Sequence, residues 1–529
     1  MTFLSKLWRR RPKFSKSRKI RLPQLPPEIW MQILRFAAED DFVGPHGDLG
    51  ASVSFLDVSS SHSDLLRRLT AYRLSLKTRA VLSRVCRGWH GIAQELLYEF
   101  VWVSRARQAK ALAATVVSNK ELGTTIRRLH IETPTLERCD PADLRTIIDN
   151  SPRLAAYSDY RSIRRQPHSS PDHLLSSLAR PGNKLKRLSW TNYDYDTRDQ
   201  SGCISFFLRL SPALGMAASD LDYLELSLCA TDLVSPTFPS IFPNSAVVSS
   251  GASIPVHLPA LRTLKLTLDN ITFSVLSQWD MPSLRNISVL STDFSYTGDG
   301  FAKFFQVHGH NIVQLELGHS TGAIEEHYLT TPQHTHHLPN PSLNLADWCP
   351  NLREFICSAD AEWNWQSPDW IAPHILLPAH PSVELIGIRD LNKRLLDDLD
   401  LYLTRHSSGS FSSSILPPSS NHRGPFFRLA EQLGSLLRSD NFPKLRVIRD
   451  MSWESATMRR CERITVPSDH MIIGGGDMWW DDIEMSRDDQ ADFGRALVSF
   501  WRTVKESYCM PKGVQLQDWR GEPVVVAGV

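Results

Sequence analysis

From Gly123 to Asp450 the chain keeps returning to one phrase, apolar-x-x-apolar-x-apolar, introduced by a polar residue or proline and often carrying Arg or Lys after its first apolar residue. The clearest copies are TTIRRLHI (Thr124–Ile131), NKLKRLSW (Asn183–Trp190), SDLDYLEL (Ser219–Leu226), PALRTLKL (Pro259–Leu266), PSLRNISV (Pro282–Val289), HNIVQLEL (His310–Leu317) and PNLREFIC (Pro350–Cys357). Weaker ones are PRLAAYSD (Pro152–Asp159), PSVELIGI (Pro381–Ile388) and PKLRVIRD (Pro443–Asp450). Their first apolar residues are Ile126, Leu154, Leu185, Leu221, Leu261, Leu284, Ile312, Leu352, Val383 and Leu445. The alternation inside each phrase predicts a strand.

The intervals carry a different period. DPADLRTIID (Asp140–Asp149), PDHLLSSLAR (Pro171–Arg180), CISFFLRL (Cys203–Leu210), TFSVLSQW (Thr272–Trp279), GFAKFFQVHG (Gly300–Gly309) and LNKRLLDDLDLYL (Leu391–Leu403) read as short amphipathic helices, several opened by Pro or Asp. Strand and helix alternating at steps of mostly about 23 to 40 residues predict the α/β class: an irregular leucine-rich-repeat-like solenoid over residues 104–455, a curved parallel sheet with outer helices. An ordinary doubly wound domain would not need the same strand phrase so often. The wide gap from Val383 to Leu445 leaves the repeat count open by one or two. Ser235–His257 and Ser407–Gly424, rich in Ser, Pro and Gly, are expected to be surface loops.

Ahead of the repeats stand two apolar stripes at helical spacing. In RLPQLPPEIWMQILRFAAED (Arg21–Asp40), Ile29, Ile33, Leu34 and Ala37 share one side of a helix that Pro27 is suited to open. In LKTRAVLSRVCRGWHGIAQELLYEFVWV (Leu76–Val103), Val81, Leu82, Val85, Cys86, Trp89 and Ile92 form the second stripe. Two short helices cannot enclose this much apolar surface. The opening LPxE, the VCRxW and the closing LLYxxV resemble an F-box, over 21–103, about the first fifth of the chain; the overall texture resembles the F-box proteins of mushroom-type fungi. The resemblance implies a small helical domain that docks the Skp-type adaptor of a cullin-RING ubiquitin ligase. Carried onto this chain, it implies that Leu25, Pro26, Ile29, Ile33, Leu34, Leu82, Val85, Cys86 and Trp89 hold the adaptor or the hairpin itself. Residues 41–73 depart from the family pattern as an insertion between the helices, polar and Gly-containing at first, apolar-periodic around Leu65, Leu66 and Leu69. Long surface insertions cost little closure entropy, roughly 0.6 kcal/mol per doubling, so the hairpin can survive it.

Composition narrows the partners. A net charge of +2 implies no general affinity for polyanions, so nucleic acid is not the expected partner. The eight cysteines, scattered without CxxC spacing, read as reduced core residues of a cytoplasmic or nuclear protein. No apolar run is long enough for a membrane span. Residues 1–20 are basic and read as a solvated tail, a nuclear-import patch or a mitochondrial presequence. Glu325, Glu326, His327, His334, His336 and His337 are metal-ligand types without paired spacing, and IIGGGDMWWDDIE (Ile472–Glu484) lacks the pattern of a phosphate loop. No metal, cofactor or catalytic group is expected. Residues 456–529 read as a cap with an acidic segment and a closing helix over Asp492–Tyr508, its Phe493, Leu497, Phe500, Trp501 and Val504 on one face. The expected function is noncatalytic: a Skp/cullin/F-box receptor subunit whose repeats hold a protein substrate of unknown identity. The alternative is a repeat scaffold whose degenerate F-box no longer binds the adaptor.

Overall fold

This computed structural model describes residues 25–38, 52–57, 64–133, 137, 139–160, 172–180, 182, 184–195, 200–230, 254–268, 270–291, 299–319, 345–359, 377, 379–392, 394–395, 426–438, 441–459 and 496–525. The chain divides into two compact units, Met1–Leu49 with Leu66–Leu221 and Cys229–Thr231, and Gly50–Leu65 with Asp222–Leu228 and Asp232–Val529. The basic start, the histidine cluster, the glycine-rich acidic segment and the loop Ser407–Gly424 lie outside the described residues, as does most of the loop ending at His257. The tail of that loop is packed: Ile254 and Val256 are buried, and His257 pairs with Asp280 at 2.6 Å.

The first unit opens with helices α1 (Pro27–Ala38), α2 (Asp64–Leu82) and α3 (Arg87–Glu99). It continues through β1 (Phe100–Val103), α4 (Ala106–Ser118), α5 (Lys120–Thr125), β2 (Arg128–Glu132), α6 (Pro141–Asp149), β3 (Ala156–Tyr160), α7 (Asp172–Leu178), β4 (Arg187–Tyr195) and α8 (Gln200–Ala217). Strands β1 to β4 pair in parallel in chain order. The second unit carries β5 (Tyr223–Ala230), β6 (Thr263–Leu268), β7 (Asn286–Ser291), β8 (Gln314–His319), β9 (Glu354–Ser358), β10 (Leu385–Arg389), β11 (Val447–Asp450) and β12 (Gln515–Gln517), again parallel and in chain order. Its helices include α9 (Asn270–Leu276), α10 (Asp299–His308), α11 (Leu345–Trp348), α12 (Phe427–Arg438) and α13 (Trp453–Arg459).

Every repeated phrase in the sequence ends in one of the strands β2 to β11, and its first apolar residue explains why the phrase exists. Ile126, Leu221, Leu261, Leu284, Ile312, Leu352 and Val383 are all fully buried. In Ile126, Leu261, Leu284, Ile312 and Leu352 the N–H closes a turn onto the carbonyl three residues back, as Leu284 does on Met281 and Leu352 on Cys349, whereas Leu221 closes onto Ala217, four back. The next two N–H groups then share one carbonyl of the preceding repeat: Arg285 and Asn286 both donate to Arg262, and Arg353 and Glu354 both donate to Val313. One buried anchor, one turn and one shared carbonyl thus set each new strand in register with the last. The residue after the anchor sits at this turn, in solvent, which accommodates its frequent Arg or Lys.

Two strands escaped the sequence pattern. β1 is the FVWV that the reading above gave to the helical start, and β12 holds one buried apolar residue, Leu516, too little to display a period. The C-terminal segment therefore adds a strand to β11 beyond its closing helix over residues 496–503, which continues as a wide turn, Val504–Cys509. Leu497, Phe500, Trp501 and Val504 of this helix are buried, and the Arg459 guanidinium lies 4.6 Å above the Trp501 ring. The expected insertion also divides differently: its last ten residues, Asp64–Arg73, belong to helix α2, which runs unbroken into the second apolar stripe.

Two buried histidines make stability pH-dependent. His380 accepts from the Ser382 N–H at Nδ1 (3.1 Å) and bonds the Cys349 carbonyl through Nε2 (3.0 Å), an arrangement that requires the neutral ring. Burial pushes the His380 and His308 pKa values below the usual histidine value. Below that ordinary value the unfolded chain binds protons that the folded chain refuses, so stability rises with pH there and is lost as the pH falls, at up to about 1.4 kcal/mol per pH unit per histidine. The thermal midpoint should fall as the pH is lowered from neutrality toward 5, and fall less in His380→Gln; equal slopes in both proteins would contradict the assignment.

Candidate functional site

Helices α1 to α3 sort the residues singled out in the sequence into an interior and an exterior. Leu34, Ala93 and Leu96 are buried together, with Met31, Leu82, Trp89 and Ile92 packed against them. Trp30 and Trp89 meet at 5.3 Å between ring centroids, tilted by 57°. The cluster is tied by polar bonds at its edges: Arg35 reaches both Glu99 carboxylate oxygens at 2.9 Å, the Ser75 hydroxyl donates to the Ala38 carbonyl at 2.7 Å, and Arg79 donates to the Leu96 carbonyl at 3.1 Å. Pro26 and Cys86 start helices. The Pro26 carbonyl accepts from Ile29 and Trp30, and the half-buried Cys86 sulfur accepts from the Trp89 N–H at 3.4 Å. Leu34, Leu82 and Trp89 therefore hold the module together.

Leu25, Ile29, Ile33 and Val85 face outward, with Ile29 and Ile33 each 41 % exposed and Val85 54 %. Phe36, 82 % exposed, extends the Ile29–Ile33 line along α1, and Val81 lies on α2 near its end, 56 % exposed. Phe36 was legible in principle, because steps of four and three from Ile29 through Ile33 to Phe36 fall on one helical side. A helix that already has a closed apolar interior thus presents a second apolar line to solvent.

The insertion contributes elsewhere. Residues Ser52–Asp57 belong to the second unit, where Val53, Phe55 and Leu56 are buried with Tyr223 and Ile356, against Leu385 and Met451. This segment crosses the polar face of the sheet. The Thr263 hydroxyl (β6) and the Asn286 amide (β7) both donate to the Val53 carbonyl, at 3.0 and 2.9 Å. Gln314 (β8) accepts from the Phe55 N–H at 2.7 Å and donates to the Ser54 hydroxyl at 2.8 Å. Arg389 (β10) donates to the Phe55 carbonyl at 2.6 Å while paired with the buried Glu316. Gly387 makes room: a Cβ there would lie 2.6 Å from the Met451 sulfur, 3.2 Å from Ile356 and 3.4 Å from Leu56. The sequence held a signal for this segment, the cluster Val53, Phe55, Leu56 and Val58 within an otherwise polar stretch.

Burial pushes the Cys139 and Cys349 thiols up to about 12 and Cys509 up to about 11, and Cys357 is raised further in the same way, which keeps these thiols protonated and unreactive. Among the described residues no helix is long and apolar enough to cross a membrane, and no three His, Cys, Asp or Glu side chains converge as a metal site.

No protein-family model matches this chain. No curated protein matches it in sequence. Among solved structures, a protein from Bacteroides fragilis is 13 % identical, with 64 % of this chain and 82 % of that one covered, at a TM-score of 0.27. The complex of Rad7 and Elc1 in yeast is 12 % identical, with 75 % and 94 % covered, at a TM-score of 0.21. Likenesses this slight carry neither fold nor function.

The division of the helical module predicts opposite responses to neighbouring truncations. Leu34→Ala should destabilise the protein by about 2–5 kcal/mol, as a buried cavity does, whereas Ile33→Ala should change stability by less than about 0.5 kcal/mol. Denaturant melts of the two variants check this.

Proposed function

We propose that this chain is the noncatalytic substrate receptor of a Skp/cullin/F-box ubiquitin ligase, with the α1–α3 module docking the adaptor and the repeats holding a protein substrate. The observation that supports it most is the second apolar line. Leu25 just ahead of α1, Ile29, Ile33 and Phe36 on α1, and Val81 and Val85 stay exposed although the helices already share a core, and exposed apolar surface beyond a closed core marks interaction sites. The residues that the F-box resemblance nominated and that face outward, Leu25, Ile29, Ile33 and Val85, would contact the adaptor; Leu34, Leu82 and Trp89 would act from within, by holding α1 against α3. The receptor would work in the cytoplasm or nucleus.

In this reading the chain supplies no acid, base, nucleophile or cofactor. Its contribution is to convert an encounter between substrate and charged ubiquitin carrier into a reaction within one assembly, at a high effective concentration. The scaffold alternative, in which the helical start binds no adaptor, is separated from it by one experiment.

Ile29→Asp with Ile33→Asp should lower co-purification of a Skp-type adaptor by at least about tenfold to a hundredfold, given roughly 1.5–3 kcal/mol for each buried aliphatic side chain, and leave the melting curve unchanged. Full adaptor binding by this variant, or none by the unaltered chain, would overturn the proposal.

A further inference from the structure

The segment Ser52–Asp57 is held in the manner of a bound peptide. Its backbone is read by side chains: Thr263, Asn286, Gln314 and Arg389, from four different strands, take the Val53 and Phe55 carbonyls and the Phe55 N–H. These bonds are indifferent to which residues the segment contains. Selectivity lies in the apolar seat for Val53, Phe55 and Leu56, formed by Tyr223, Ile356, Leu385 and Met451 and deepened by the missing side chain of Gly387. The segment ends in a 3-10 turn over Phe55–Asp57, closed by the Asp57 N–H on the Ser54 carbonyl at 3.2 Å. Backbone bonds for affinity and side-chain seats for specificity are the division of labour by which protein surfaces take peptides.

The resident segment does not use everything this face offers. Ser288 lies two residues beyond Asn286, hence on the same side of β7, and its hydroxyl is fully buried with no hydrogen-bond partner among the described residues. A buried hydroxyl left unmet costs stability that a better-fitting chain would recover. At the other end Ser52 opens onto a hollow of about 860 Å³ lined by Arg262, Arg285, Arg353 and His310. Arg262 and Arg353 pair with Asp222 and Glu384 at 3.7 and 3.8 Å, whereas Arg285 makes no ion pair among the described residues. Among the described residues, the uncharged Ser52 is what the segment brings to this basic hollow.

We propose that the polar face of β6 to β10 is a binding slot for a short segment of another polypeptide that turns as the resident does, with a carboxylate just ahead of an aliphatic-x-aromatic-aliphatic core, and that Val53–Asp57 is its built-in competitor. The resident occupies the slot because it is tethered, at an effective concentration no free segment matches, and an incoming chain displaces it by adding the contact to Arg285 that Ser52 cannot make. The inference uses residues of the second unit alone and stands whether or not the helical module takes an adaptor.

The test uses the full chain and a fluorescein-labelled peptide copying Ala51–Asp57 with Ser52→Glu. Phe55→Ala with Leu56→Ala in the protein, which loosens the resident, should tighten peptide binding by at least about tenfold. The Glu peptide should bind several-fold better than its Ser counterpart at low salt, and Arg285→Glu in the protein should abolish that preference. Because the loosened variant could unfold, the unaltered protein is tested in parallel with the same peptide carrying a photoreactive phenylalanine at the Phe55 position. Cross-links should fall on β8 to β10 and disappear under excess unlabelled peptide. A folded variant that binds no tighter than the unaltered chain, or cross-links that are absent or fall elsewhere, would make the segment a fixed structural element and overturn the proposal.

Discussion

A parallel strand laid down by a crossover always leaves its far edge open, and each strand of this chain exists to close the edge of the one before. The shared carbonyl that receives two consecutive N–H groups from the next repeat is the bond through which that closure is made, at Arg262, Val313 and their equivalents. It works only if the following residues enter extended, and the buried anchor with its three-residue turn ensures that they do. Side chains then fall into rows across the strands, since Tyr223, Thr263, Asn286, Gln314, Glu354 and Leu385 are register partners in turn. Alternate rows face the core; the others face away and must find partners or water.

How those outward rows are satisfied gives each unit its character. In the first, Trp102 of β1 is covered by α2, whose Tyr72 hydroxyl accepts from the Trp102 N–H at 3.2 Å and whose Arg68 lies over the indole ring. In the second, Thr263, Gln314, Glu316 and Arg389 are buried although polar, because a six-residue segment far away in sequence lies on them. Burying polar groups is tolerable only when they are hydrogen-bonded. The segment's backbone satisfies that requirement at Thr263, Gln314 and Arg389 and fails it at Ser288.

Most of the strand plan was legible because it is a local code: an anchor, a turn and a two-residue alternation fit within eight residues, and every such phrase became a strand. Helix starts were legible for the same reason. Asp140 caps α6 by accepting from the Ala142 N–H at 2.9 Å, as its place before Pro141 suggested. β1 and β12 were hidden, the first inside a motif already assigned to the helices and the second because Gln515-Leu516-Gln517 holds too few residues to show a period. The candidate site was half legible. Helical spacing grouped Ile29, Ile33 and Leu34 on one stripe, yet a stripe does not reveal that Leu34 turns inward and Ile33 outward, since that depends on where α3 lies. The seating of Phe55 could not be read at all, because its partners are scattered over more than a hundred residues of later sequence and each contributes a single side chain.

The 334 residues between Phe55 and Arg389 set a clock on biogenesis. At about 5–20 residues per second, a ribosome needs roughly 15–70 s to travel from one to the other. Until the strand carrying Arg389 is made, the set of strands that receives Val53, Phe55 and Leu56 is incomplete. The burial of this short apolar segment is therefore among the last steps of the chain's folding on the ribosome, completed only after the strands that cover it exist.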